Sequence, residues 1–169
     1  MDEESEFTVI FLFYQDIENM KEIKDLLANN CLKAAVVNPL LIYDKSQLLL
    51  ASHRSLYNEQ NKIMKTKSIF TEVLYNLFPS KSIRDSLRTF GAHENGTSAI
   101  FVVFGKESKT ICDQIKNCVK GQLSSVDQVS ESCDIKAVRK LYKIPNEVSE
   151  QSDILNFILT KIASKEILL

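Results

Sequence analysis

Four cysteines (Cys31, Cys112, Cys118, Cys133), two histidines (His53, His93) and one carboxylate set in an apolar stretch (Glu72) are the first places to look for chemistry. A thiol nucleophile needs a base within reach. No spacing couples either histidine to a cysteine, because His53 falls in a helical pattern and His93 in a turn. No two cysteines stand as C-x-x-C, which leaves neither a zinc-ligand spacing nor a disulfide framework. They read as reduced thiols serving as small apolar residues. Glu72, alone and without metal partners, does not make a hydrolase; it is expected to pair with Lys65 or Lys67 or to face water. The four glycines, at 91, 96, 105 and 121, cannot be arranged as G-x-G-x-x-G or a P-loop. G-x-S-x-G, H-E-x-x-H and kinase signatures are missing as well. These residues point to no catalytic group, no metal and no cofactor.

What the chain does carry is clustered charge. Its net charge is −1, yet between Lys45 and Gly91 basic residues outnumber acidic ones eight to three. Lys62, Lys65 and Lys67 flank the entry to an apolar helical stripe, and Arg84 and Arg88 lie four apart on the next one. A short connection around Pro79 and Ser80 would make the two helices neighbours and let the five charges converge. With the N–H groups of a helix start they would hold phosphate. Tyr75 is the nearby aromatic that could stack on a base. A second basic stripe, Lys136, Arg139, Lys140 and Lys143, follows i, i+3, i+4, i+7, opposite Ile135, Val138 and Leu141. Its plainest reading is a solvated helix face.

The elements that must position these groups are legible in outline. FTVIFLFYQ, Phe7 to Gln15, is an apolar run of strand length and reads as a strand buried on both faces. Met20, Ile23, Leu26 and Leu27 recur at helical spacing. AAVVNP is a short strand stopped by Pro39, which lacks the N–H of a central ladder. Asp44 or Ser46 caps a helix whose face is Leu48, Leu49, Ala51, Ser55 and Leu56. Ser68 opens a stripe of Ile69, Phe70, Val73, Leu74 and Leu77, and Pro79 stops it. Ser82 and Asp85 have the spacing of a capping box, Ile83, Leu87 and Phe90 form one apolar face, and Gly91 sits where a left-handed residue ends a helix. SAIFVVFG is a second clear strand. Three helical patterns follow, around Ile111–Val119, Ile135–Tyr142 and Ile154–Ile162. Asn95-Gly96-Thr97 reads as a turn.

Two strong strands flanking a helical middle imply a sheet closed by non-local pairing, with helices packed on it. The expectation is an α+β (mixed α/β) fold: one domain over residues 1–169, a small central sheet packed with helices, and residues 1–5 disordered. No apolar run is long enough to span a bilayer, and the acidic start MDEESE is unlike a secretory signal, so no membrane association and an intracellular location are expected. The last stripe runs on toward Ile167, Leu168 and Leu169, more apolar surface than a small core needs; such surface marks protein interfaces. The plainer alternative is that it closes the core.

VNPLLIYDKSQLLLASHRSL, MKTKSIFTEVLYNLFPSKSIRDSLRTFG and GTSAIFVVFG, in that order, closely resemble the PRPK-binding protein family, the small non-catalytic subunits of the KEOPS (EKC) complex. The matching positions are Asn38, Pro39, Ile42, Leu49–Ala51, Met64–Lys67, Thr71, Glu72, Tyr75–Leu77, Pro79, Ile83, Leu87, Phe90, Gly91, Thr97 and Ser98. Three positions depart: Lys62 stands where the family often has Gly, suggesting a regular helix end, Phe78 replaces Ser, and Ser86 replaces Ala.

The resemblance implies a role in place of a reaction. Members bind the N-lobe of the complex's small atypical kinase and, through it, meet the remaining subunits. They help recruit tRNA by its 3′ CCA end for N6-threonylcarbamoyladenosine formation at position 37 of tRNAs reading ANN codons. This implies tRNA and that kinase as partners, and residence in cytoplasm and nucleus. Lys62, Lys65, Lys67, Arg84 and Arg88 are then the candidate RNA contacts, and Leu155, Leu159 and Ile162 the candidate kinase interface. The competing readings are an autonomous RNA-binding domain without a kinase partner, and a small enzyme built on Glu72 or a Cys–His pair. An autonomous binder would be expected to carry a larger basic excess.

Overall fold

A computed structural model describes residues 5–166. Its four-stranded sheet has the order β2-β3-β1-β4, with every pair antiparallel. The expected long strand is β1, Val9–Gln15, and SAIFVVFG forms β3, Ala99–Phe104. They pair across the helical middle, Val9 opposite Phe104 and Tyr14 opposite Ala99. β2, Ala35–Val37, lies on the far side of β3, at the sheet edge where the proline after it does no harm. β4, Gln122–Ser124, closes the other edge.

Because side chains alternate along a strand, both faces of β1 and β3 are used. Leu12, Tyr14, Ala99, Phe101 and Val103 point to one layer, made by α1 (Met20–Ala28) and α5 (Ser108–Cys118). Phe13, Ile100 and Val102 point to the larger layer. That layer holds α2 (Lys45–Gln60), α3 (Ile69–Leu77), α4 (Ile83–Phe90), α6 (Ile135–Tyr142) and α7 (Gln151–Ser164). The architecture is α+β, as the spacing of the two strong strands implies.

The helix ends follow local chemistry. Asp44, not Ser46, caps α2, and Gln47 completes the box by accepting from the Asp44 N–H. Gln47 is itself buried, donating to the Leu41 carbonyl and the Tyr142 hydroxyl, while Tyr142 donates to the Leu77 carbonyl at 2.7 Å. Three elements of the larger layer are thereby tied together through one satisfied polar chain. Ser82 accepts from the Asp85 N–H, but the Asp85 carboxylate turns to Arg88, so only half of the expected capping box forms.

Several expectations need correction. Gly91 is not left-handed: its φ is −69°. Glycine is required because a Cβ there would lie 2.4 Å from the Leu87 carbonyl oxygen. Lys62 does not end a regular helix. At φ 57° it takes the left-handed conformation that glycine adopts without penalty, and the Lys62 and Ile63 N–H groups bond back to Glu59 and Asn58 as in a Schellman motif. Ile83 is exposed at the surface, outside the core face formed by Leu87 and Phe90. The other departures fit locally: Phe78 stacks edge-on against Phe90, and Ser86 is buried with its hydroxyl donating to the Ser82 carbonyl. Of the segment expected to be disordered, residues 1–4 lie outside the described residues, whereas Ser5 makes a turn with Thr8. Residues 167–169, the proposed continuation of the last stripe, also lie outside them.

Candidate functional site

The α2–α3 connection is the best-organised basic feature of the surface. Glu72 does not pair with a lysine ammonium and does not face water; it is fully buried at the first turn of α3. Its carboxylate accepts from the Lys65 N–H at 3.1 Å, the Thr66 N–H at 2.9 Å, the Thr66 hydroxyl at 2.7 Å and the Asn58 amide at 3.1 Å. Thr71 donates to the Thr66 hydroxyl at 2.9 Å and accepts from the N–H of Ser68, the residue that caps α3, and so completes the capping box and steadies the loop at once. Between Met64 and Ser68 the side chains alternate, with Met64, Thr66 and Ser68 half-buried and Lys65 and Lys67 exposed. Lys62 is exposed as well.

Tyr75 is not available for stacking. It is only 2% exposed, the Lys165 ammonium lies 3.4 Å from its ring centroid, and its hydroxyl donates to Glu166 at 2.9 Å. Lys165 also donates to the Tyr75 carbonyl, and Arg54 donates to the Ile162 and Ala163 carbonyls at the end of α7. Cations near a helix C-terminus are favourable because they meet the unpaired carbonyls there. Burial outweighs the nearby Glu166 and Glu72 carboxylates and pushes the Lys165 amine down to about 7.

A pH dependence follows. Unfolded, Lys165 titrates near 10.5, so between pH 7 and 10 the unfolded chain binds the extra proton and stability rises with pH. Burial raises Cys133 from 9.0 to about 11 and also raises Tyr75 and Tyr142, so above pH 9 the native state holds protons that the unfolded chain releases, and stability falls. Urea midpoints are therefore expected to climb from pH 7 to about 9 and then decline, and Lys165→Met should flatten the climb while leaving the decline.

Of the five candidate RNA contacts, Lys62, Lys65 and Lys67 precede α3, whereas Arg84 and Arg88 lie on α4, which follows it. α4 folds back along α3, with Gly91 near Leu74. Arg84 is exposed, and Arg88 is paired with Asp85 at 2.9 Å. In the C-terminal stripe Arg139 is spent on the Pro145 and Val148 carbonyls, and Lys143 is the left-handed cap of α6.

The candidate kinase residues divide. Ile162 is 1% exposed and faces the core with Ile154 and Ile158, whereas Leu155 and Leu159 are half-buried. α7 runs beside α2, with Arg54 at its last turn. A groove of about 520 Å³ there is lined by Leu50, His53, Arg54, Tyr57, Ile63 and Lys65, among others. Tyr57 is 60% and Ile63 48% exposed. Sequence reading missed Tyr57, although Leu50, His53, Arg54 and Tyr57 repeat at i, i+3, i+4, i+7 on the outer side of α2.

None of the four cysteines is in a disulfide. Among the described residues no three His, Cys, Asp or Glu are grouped so as to hold a metal ion, and no helix is long and apolar enough to cross a membrane. What the surface offers is binding: a part-apolar face along α2 and α7 and a braced basic loop beside it. Comparison with known proteins agrees with that class. The chain belongs to the kinase binding protein CGI-121 family, whose profile matches residues 14–166. It is 31% identical to the EKC/KEOPS complex subunit TPRKB of Danio rerio, over 96% of this chain and 93% of that protein. It is 30% identical to the EKC/KEOPS complex subunit CGI121 of Yarrowia lipolytica, over 81% and 80% of the two chains. The corresponding subunit of Candida glabrata is 25% identical over 87% and 85%.

Proposed function

We propose that this chain is a non-catalytic subunit of a KEOPS/EKC complex that docks on the complex's small atypical kinase and helps recruit tRNA. The observation that carries the reading is family membership over nearly the whole chain, with relatives named as subunits of that complex. The part-exposed Leu155 and Leu159, together with the outer stripe of α2, form the docking face. Lys62, Lys65 and Lys67, with Arg84 and Arg88 of α4, face RNA phosphate. In this role the tRNA is held by its 3′ CCA end while another subunit carries out N6-threonylcarbamoyladenosine formation at position 37 of tRNAs reading ANN codons, in cytoplasm and nucleus. A net charge of −1 suits a dependent subunit better than a free-standing RNA binder, which needs a larger basic excess.

The test is size-exclusion chromatography of this chain with the kinase of the same organism at micromolar concentration. A one-to-one species is expected, since a stable pairing needs only about 800 Å² from each partner. Separate peaks from two folded proteins would overturn the kinase reading and leave the autonomous RNA binder in its place.

A further inference from the structure

We infer that Glu72 is a positioning residue for the RNA contact: its buried carboxylate holds the Lys62–Lys67 loop in the shape that presents the lysines. The inference rests on the reading that this loop meets tRNA phosphate. A side chain serving only to end or cap a helix would bond its own helix. Glu72 instead reaches back across six and seven residues to the Thr66 and Lys65 N–H groups, and its remaining lone pairs take the Thr66 hydroxyl and the Asn58 amide. The other end of the loop is pinned by the Ile63 N–H on the Asn58 carbonyl, so Asn58 braces the loop from both sides.

Around these anchors exposure alternates from Met64 to Ser68 and leaves Lys65 and Lys67 on the outside. None of Lys62, Lys65 and Lys67 takes part in an ion pair among the described residues. The buried Glu72 carboxylate is held by four donors inside the loop and makes no ion pair with these exposed lysines, which stay open to an anion from outside. Bracing the loop in the free protein also means that its ordering cost is met on folding and not on binding. Glutamine cannot replace this carboxylate. It offers one acceptor oxygen, and its NH₂ would point at N–H donors.

The experiment compares four proteins assembled with the kinase: wild type, Glu72→Gln, Lys65→Ala/Lys67→Ala, and all three changes together. Affinity for an unmodified tRNA transcript is measured across a salt series, and amide hydrogen exchange is followed at Lys65 and Thr66. In the wild type those amides should be protected, and Glu72→Gln should release them. Its tRNA affinity should fall about tenfold, with the salt slope flatter by about 1–2, as expected when two phosphate contacts are lost. In the lysine-free background Glu72→Gln should change affinity no further, because it acts through those side chains.

Equal losses in both backgrounds would mean a general structural role and overturn the inference. So would unchanged affinity in a folded Glu72→Gln protein when the lysine pair alone weakens binding. If the lysine pair itself changes nothing, the RNA-facing reading of the loop falls, and the inference with it. Should Glu72→Gln not fold, Thr66→Val removes one donor while keeping the carboxylate; it is expected to give the same pattern at smaller amplitude, and its failure to do so counts against the proposal.

Discussion

Phe101→Ala is expected to cost about 3–5 kcal/mol of folding stability, the range for a buried aromatic cut back to a methyl in a well-packed core. Phe101 is fully buried in the middle of β3, opposite Leu12 of β1 on one side and Val36 of β2 on the other. Its ring meets Tyr14 edge-on, with centroids 5.7 Å apart. Both neighbouring strands and the layer of α1 and α5 converge on this side chain, so little around it can collapse into the space it leaves. Domains of this size are stable by about 5–15 kcal/mol, so the variant should populate unfolded chains measurably at physiological temperature. A urea titration should show the midpoint falling with the m-value unchanged. A loss below about 1 kcal/mol would mean that the smaller layer is loosely filled.

The same residue shows why so much of the fold could be read in advance. β1 and β3 are uninterrupted apolar runs because helices cover the sheet on both sides, and that pattern needs no knowledge of partners. The starts of α2 and α3 were legible because a side-chain oxygen acting on a nearby N–H is a local event. β4 was not: Gln122–Ser124 is short and polar, and only its pairing with β1 makes it a strand.

The site was harder for the same reason. Glu72 sat in the sequence as one carboxylate near lysines, and charge alone suggested ion pairs; its actual partners are two backbone N–H groups, the Thr66 hydroxyl and the Asn58 amide, a combination that carries no sequence signature. Tyr75 looked accessible because α7, which covers it with Lys165, is about ninety residues away in the chain. Ile162 and Leu159 share a helical stripe at a resolution of one turn, yet the boundary between core and surface falls between them. Lys62 misled in another way: a lysine in place of the family's glycine suggested a regular helix end, yet the residue keeps a left-handed φ of 57°.

That boundary on α7 yields the sharpest prediction about function. Leu159→Glu places a carboxylate on a half-buried, solvent-reachable position. The isolated protein should therefore keep its melting temperature, since surface changes of this kind stay within about 0.5 kcal/mol. On docking, the charge would lose its water without gaining a partner, a penalty of about 3–5 kcal/mol, or a hundredfold or greater loss of kinase affinity. Ile162→Glu makes the necessary contrast: at 1% exposure the charge is buried in the free protein, so its damage should appear as a lowered melting temperature before any kinase is added. Calorimetric titration of the kinase with each variant, after thermal melts of each alone, separates the two effects. Unchanged affinity in a folded Leu159→Glu protein would remove α7 from the docking face. The exposed side chains of Tyr57 and Ile63 on the adjoining groove would then have to carry the contact, and a glutamate at either position would be the variant that releases the kinase.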